Sequence, residues 1–184
     1  KEIESILSIK DYPVHGYGDF FSPIDVIEDG KTFKENAIKK VMALPNLSNS
    51  IFIADDSGVC VEALNNRPGI YSARYAGEGA TSEAMCQKLL NELASVQNRT
   101  AHFHCTIAIR FPSNHIEVVT GKTFGEITHK FSGNKGFGYD PIFKPNGYDV
   151  TFAEMKAEQK NKLSHRYKAL KATSKAIQIW NSNR

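Results

Sequence analysis

Residues 101–111 read AHFHCTIAIRF. Ala101, Phe103, Cys105, Ile107, Ile109 and Phe111 fall on one side of an extended chain, with His102, His104, Thr106 and Arg110 on the other. A period of two held over this length specifies a strand, because successive strand side chains leave opposite faces. Pro112, Ser113 and Asn114 then supply a turn, and HIEVVTGKTFGEIT (115–128) reads as the hairpin partner.

Working outward, TFKENAIKKVMAL (32–44) is a helix, with Thr32 as N-cap and Glu35 completing a capping-box pattern. Phe33, Ala37, Val41 and Leu44 share a face at ~100° per residue, and Lys40 falls beside it while Lys39 points to solvent. Further helices are expected at 81–96 and from about residue 151 onward. KEIESILSI (1–9) has the look of an amphipathic helix carrying Ile3, Ile6 and Leu7. FSPIDVI (21–27) reads as a short strand with Pro23 near its start. Helices interspersed with strands, and no repeat or linker, make one α/β domain over residues 1–184 with a mixed sheet.

The 184 residues can bury one sizeable core, and 41% hydrophobic with 23% charged residues is ordinary for a globular chain. A net charge of +3, scattered along the chain, gives no ground for nucleic-acid binding but allows a local pocket for a small polyanion. No apolar run approaches the ~20 residues that span a membrane. Cys60, Cys86 and Cys105 are odd in number and sit in apolar patterns, the usage of reduced core thiols in a cytoplasmic protein.

The chemistry concentrates in a few stretches. In IFIADDSGVC (51–60) an apolar strand runs into Asp55 and Asp56, and strand-like flanks on both sides argue against a helix cap. Carboxylates at the end of a buried strand suit a hard, oxygen-seeking Mg²⁺ held together with substrate phosphates, and the metal would remove their repulsion. Glu28 and Asp29 extend the acidic set. GFGYDP (136–141) lacks the third glycine and helix of a dinucleotide fingerprint, and GKT (121–123) lacks the upstream glycine of a P-loop. The loop around Gly136 and Gly138 nevertheless carries Phe137 and Tyr139, which either stack a nucleobase or pack the loop down; both readings stay open. Ser164 is a candidate N-cap that places His165 and Arg166 in a first helical turn, where the dipole disfavours cations. An anion, a carbonyl or a carboxylate would relieve that conflict, and Lys160 lies about one turn upstream. His102 and His104 have a spacing that suits a metal, but without a third ligand nearby we read them as solvated or packed on the sheet.

Taken together, EDGKTFKENAIKK, IADDSGVCVEALNNRPGIYSARYAG, GFGYDPIF and EMKAEQKNKLSHRYKAL resemble the inosine triphosphate pyrophosphatase family in content, order and spacing. The resemblance covers the chain from about residue 28 onward. It implies a long curved mixed sheet flanked by helices, in two lobes around a central cleft. It implies Mg²⁺-dependent hydrolysis of ITP, dITP and XTP to the monophosphate and pyrophosphate, by a homodimer; charge, hydropathy and cysteine usage add the expectation of a cytoplasmic protein with no nucleic-acid or membrane partner. Residue by residue it makes Asp56 the catalytic base and a metal ligand, Glu28 a metal ligand, and Asp55 a member of the same acidic site. Lys40 matches the phosphate-binding lysine and Ser57 a substrate contact. Phe137, Gly138, Tyr139 and Asp140 match the loop that holds the base, and Lys160, His165 and Arg166 match contacts to the base and nearby groups. The family begins with a strand and a Ser/Thr-x-Asn-x-x-Lys phosphate loop, which would fall before Lys1. Two other expectations are a Maf-type pyrophosphatase acting on dTTP or UTP, and a nucleotide-binding protein without turnover should that loop be lost.

Overall fold

The structure is a computed structural model and describes residues 6–7 and 13–183. The helix expected over residues 1–9 therefore lies largely outside the described residues. Four α-helices are described: α1 (Phe33–Ala43), α2 (Ser82–Glu92), α3 (Ala157–Leu163) and α4 (His165–Ser182). Five strands, β1 (Phe52–Val61), β2 (Arg67–Pro68), β3 (Thr100–Arg110), β4 (Ile116–Ile127) and β5 (Phe143–Pro145), form one sheet in the order β2-β1-β3-β4-β5. β2 lies antiparallel to β1, with Cys60 opposite Pro68, and β5 lies antiparallel to β4, with Glu126 opposite Lys144. The fold is α/β as expected; among the described residues the sheet is antiparallel, and the mixed character is not seen in them. Residues 21–27, expected as a strand, form no regular element. Pro23 removes a ladder donor there, and the run is too short to offset the loss.

The chain divides into two compact units: Lys1–Asp56 with Cys105–Gly121 and Arg166–Arg184, and Ser57–His104 with Lys122–His165. β1, β3 and β4 each contribute residues to both.

In the first unit the sheet is covered on both faces. Ala37 and Val41 of α1 pack on Ala108, Phe52, Ala54 and Val118. Ala169, Leu170 and Ile177 of α4 pack on Cys105, Ile107, Ile109 and Ile53. The two sets alternate along each strand, as a pleated chain requires. Double cover explains why Thr106 and Arg110, read as the polar face of β3, are buried. Arg110 donates to the carbonyl of Leu44 (2.9 Å) and lies over the Phe52 ring, so its charge meets the C-terminal end of α1.

In the second unit Met85, Cys86 and Leu89 of α2 join Val59, Val61, Ala101, Phe103, Ile127, Phe143 and Phe152 in one core. Thr81 caps α2 by accepting from Ala84 N (3.1 Å). The helix stops at Glu92, short of the expected 96, and turns of chain follow. On the other face His102 and His104 are half-buried beside exposed Phe124, the sheet-packed outcome.

Candidate active site

The first unit builds its polar centre from α1 and β1. Thr32 accepts from Glu35 N (3.1 Å), while Glu35 reaches back to Lys31 N (2.7 Å), one residue short of a closed capping box. This start aims Asn36 and Lys40, one turn apart, at the sheet. Lys40 Nζ donates to Asp56 Oδ1 (3.1 Å) and to the carbonyl of Asp55 (3.2 Å), and pairs with Glu28 Oε2 (3.0 Å). Asn36, fully buried, donates from Nδ2 to Asp56 Oδ2 (3.2 Å) and accepts Gly30 N at Oδ1 (2.9 Å). The Gly30 bond fixes which end of the amide faces the carboxylate. A Cβ at Gly30 would overlap that oxygen, so only glycine allows the approach. Beside the cluster lies a cavity of about 400 Å³ lined by Glu28, Lys40, Asp55, Asp25 and Tyr17.

Burial pushes the Asp56 carboxyl above the ordinary carboxylate range; Lys40 and Asn36 pull it down without overcoming that, and Glu28 adds to the rise. Burial also works against the Lys40 ammonium, but Glu28 and Asp56 outweigh it and hold its pKa above the usual value. An ion pair alone would lower the acid, so desolvation decides the balance at Asp56. The result is a carboxylate unusually willing to take a proton.

Asp55 points the other way. It accepts from Arg166 Nη2 (3.0 Å) and the Cys105 thiol lies 3.9 Å away, on the face that carries Ile53. The expected acidic site shared by Asp55 and Asp56 is corrected on this point, because neighbours on a strand leave opposite faces. β1 runs unbroken through both aspartates instead of ending at them. Their mutual repulsion is answered by two cations, Lys40 and Arg166. Arg166, in the first turn of α4, finds the carboxylate that offsets its unfavourable place at that helix end.

Among the described residues no three His, Cys, Asp or Glu side chains group to hold a metal. Glu28 and Asp56, however, converge on one ammonium, and two carboxylates completed by phosphate oxygens and water are the donor set Mg²⁺ uses. The residues present fit that ion through Glu28 and Asp56, and Asp55 is not among them.

The second unit holds the loop 136–140. Asp140 is buried and accepts from Phe137 N (2.8 Å) and from Lys160 Nζ. Gly136 has φ +78°, and a Cβ there would overlap the Asp140 carboxylate. Lys160 lies over the Phe137 ring, 4.8 Å from its centroid. Phe137 is 63% exposed whereas Tyr139 is buried, its hydroxyl donating to the carbonyl of Ser72 (2.9 Å). The two open readings thus divide between the aromatics: Tyr139 packs the loop down and Phe137 offers a free face. The amides of Phe137, Gly138 and Asp140 are engaged within the protein.

His165 stacks on Phe103, with centroids 4.7 Å apart and 9° between planes. Ser164 immediately precedes α4, and its hydroxyl donates to the carbonyl of Asn161 (3.2 Å). Ser57 follows Asp56 in β1 and is half-buried. Asn36 is the residue that sequence reasoning missed. Its signal was a polar side chain four residues before Lys40, next to the apolar Ala37–Val41 pair.

The chain matches the Ham1 family over residues 1–176. A dITP/XTP pyrophosphatase of Desulfotalea psychrophila is 45% identical over 183 residues, covering 98% of this chain and 82% of that protein. A dITP/XTP pyrophosphatase of Bacillus subtilis is 42% identical over 180 residues, covering 97% and 91%. Among solved structures, the Staphylococcus aureus Ham1 protein superposes with a TM-score of 0.86 at 45% identity, covering 91% of this chain and 88% of that one. A HAM1 protein from Coxiella burnetii gives 0.87 at 36% identity, covering 97% and 92%.

Proposed function

The chain belongs to the Ham1 family, and on that premise we propose that it hydrolyses dITP, ITP and XTP to the nucleoside monophosphate and pyrophosphate. The observation that carries the proposal is the buried Asp56 carboxylate, bracketed by Lys40 and Asn36, with Glu28 on the same ammonium. Asp56 takes the proton of the attacking water; its raised pKa suits a base working near neutrality. As the water oxygen bonds to phosphorus, the anhydride link between the α and β phosphates breaks and pyrophosphate leaves. Lys40 turns from Asp56 and Glu28 toward phosphate oxygens, where its point charge offsets the charge that develops. Mg²⁺, held by Glu28 and Asp56, would supply further neutralisation of the phosphoryl oxygens.

Phe137 stacks the base, and Lys160 and Asp140 set the pose of that ring. His165 and Arg166, oriented by Phe103 and Asp55, donate to the base, and Ser57 contacts the substrate. Donors aimed at a 6-keto oxygen leave adenine's 6-amino group mispaired, so ATP is rejected. A homodimer, as the sequence resemblance implies, and a cytoplasmic place, in keeping with three buried cysteines outside any disulfide, belong to the same proposal. No described helix is long and apolar enough to cross a membrane.

The test is a panel of ITP, dITP, XTP, ATP, GTP, dTTP and UTP with and without Mg²⁺, with the released phosphate species identified. We expect pyrophosphate from the first three at rates at least ~10²-fold above ATP, the discrimination a mispaired polar site supplies. Orthophosphate as the sole product, or preference for dTTP or UTP, would overturn the assignment.

A further inference from the structure

The peptide of Gly138 is gripped from both sides by one helix. Its N–H donates to Ser82 Oγ (3.0 Å) and its carbonyl accepts from the Cys86 thiol (3.3 Å). Ser82 and Cys86 both belong to α2, four residues apart, and so lie one above the other on one face. These two hydrogen bonds are distinct from those of the Asp140–Lys160 pair, which holds the loop through Phe137 N. We propose that Ser82 and Cys86 are positioning residues for base recognition: by clamping the Gly138 peptide they hold the neighbouring Phe137 ring ready to stack a purine. The proposal rests on the base-holding role given above to this loop.

Three features separate a clamp from chance packing. Cys86 is wholly buried, and burial, reinforced by Asp140, pushes its thiol up to about 12, so the S–H remains a donor at every physiological pH. Phe137 itself is exposed on its ring, so no apolar packing of its own fixes the stacking face. Two residues after Phe137, Tyr139 is anchored to Ser72, which in turn donates to the carbonyl of Gly69 (2.6 Å). Before Phe137, Lys135 N donates to the carbonyl of Ala153 (3.1 Å), so the loop is pinned on either side of the residue that must meet the base. Preorganisation of this kind lowers the ordering cost of binding and belongs in affinity for the base.

The test compares wild type, S82A, C86A, S82A/C86A and the conservative C86S, whose hydroxyl still donates. Product inhibition supplies the discriminating readout: IMP carries the base and pyrophosphate does not. In S82A/C86A the KM for ITP and the inhibition constant of IMP should rise about tenfold, the effect of one to two lost net hydrogen bonds. The inhibition constant of pyrophosphate should not move, kcat should stay within about twofold by the same reasoning, and C86S should recover most of the single-site loss. Amide exchange of a peptide covering residues 131–142 should speed up in the double variant. An unchanged IMP constant in a folded double variant, or equal shifts for IMP and pyrophosphate, would overturn the clamp. Wild-type protein inactive on ITP would overturn the function proposed above, and the exchange rate of the loop would still decide the clamp.

Discussion

Asp56 has given up most of its water for an ammonium and one amide, and the exchange is unfavourable for its charge. The folded state holds the carboxyl proton more tightly than the unfolded chain does. Between the ordinary carboxylate value and the raised one, stability therefore falls as pH rises, and the cost persists at neutral pH. Asp56→Asn removes that charge while keeping the shape, and Lys40 keeps Glu28 as partner. We expect turnover of ITP to fall by at least ~10³, within the range for a lost general base. The melting temperature at pH 7 without divalent ions should hold or rise, because a buried charge has been removed. Initial rates and thermal melts check both; a variant that melts well below wild type would mean that Asp56 is structural. Lys40 was legible in the sequence because a lysine beside an apolar stripe is out of pattern. Asp55 was misplaced because adjacency in sequence is separation across a strand, and Asn36 passed unnoticed because its partner lies twenty residues away.

At the scale of elements, β3 shows where patterning stops being informative. Its alternation correctly gave the strand and, at residues 101–105, the buried face. From Thr106 onward both faces are buried, since α1 covers the side that polar residues seemed to mark as open. Arg110 is the consequence: a buried guanidinium whose donors close the C-terminal carbonyl of α1 at Leu44. No local signal predicts that, because the helix and strand meet across more than sixty residues. Arg110→Met keeps the length and apolar contact with Phe52 but leaves the carbonyl without its charged donor. It should destabilise the protein by about 1–3 kcal/mol, the cost of an unsatisfied buried acceptor with a favourable helix-end charge removed. Urea unfolding read at constant slope measures it, and a loss below ~0.5 kcal/mol, the level of an ordinary surface substitution, would show that water replaces the guanidinium.

For the whole molecule, acid stability is where these local choices compete. The α/β class and the β3–β4 hairpin could be read from the chain, whereas the course of β1 through Asp55 and Asp56 could not, because two adjacent carboxylates mark a strand end. The same strands carry the groups that decide behaviour below pH 7. His104 is pushed down to about 4, by burial first and then by Lys122 and His102, and burial with Lys122 also lowers His102. An unfolded histidine takes a proton near ~6.5, but folded His104 refuses one until about 4. Over that interval the unfolded state binds more protons, so stability is lost as pH falls from 6.5 toward 4. Asp56 acts in the opposite sense, gaining as pH falls toward its raised value. Two histidines oppose one carboxyl, and further protonation adds positive charge to a chain already at +3, so the net trend is loss. His104→Gln keeps a polar, half-buried side chain and deletes the titration. Melting temperatures at pH 7.5, 6.0 and 5.0 should drop more steeply for wild type than for the variant, with the difference opening below pH ~6.5. Parallel curves would place the acid sensitivity elsewhere, with Asp29 and Glu154 as the next groups to replace, since Lys39 and the Thr151 amide hold their carboxyls below the ordinary range.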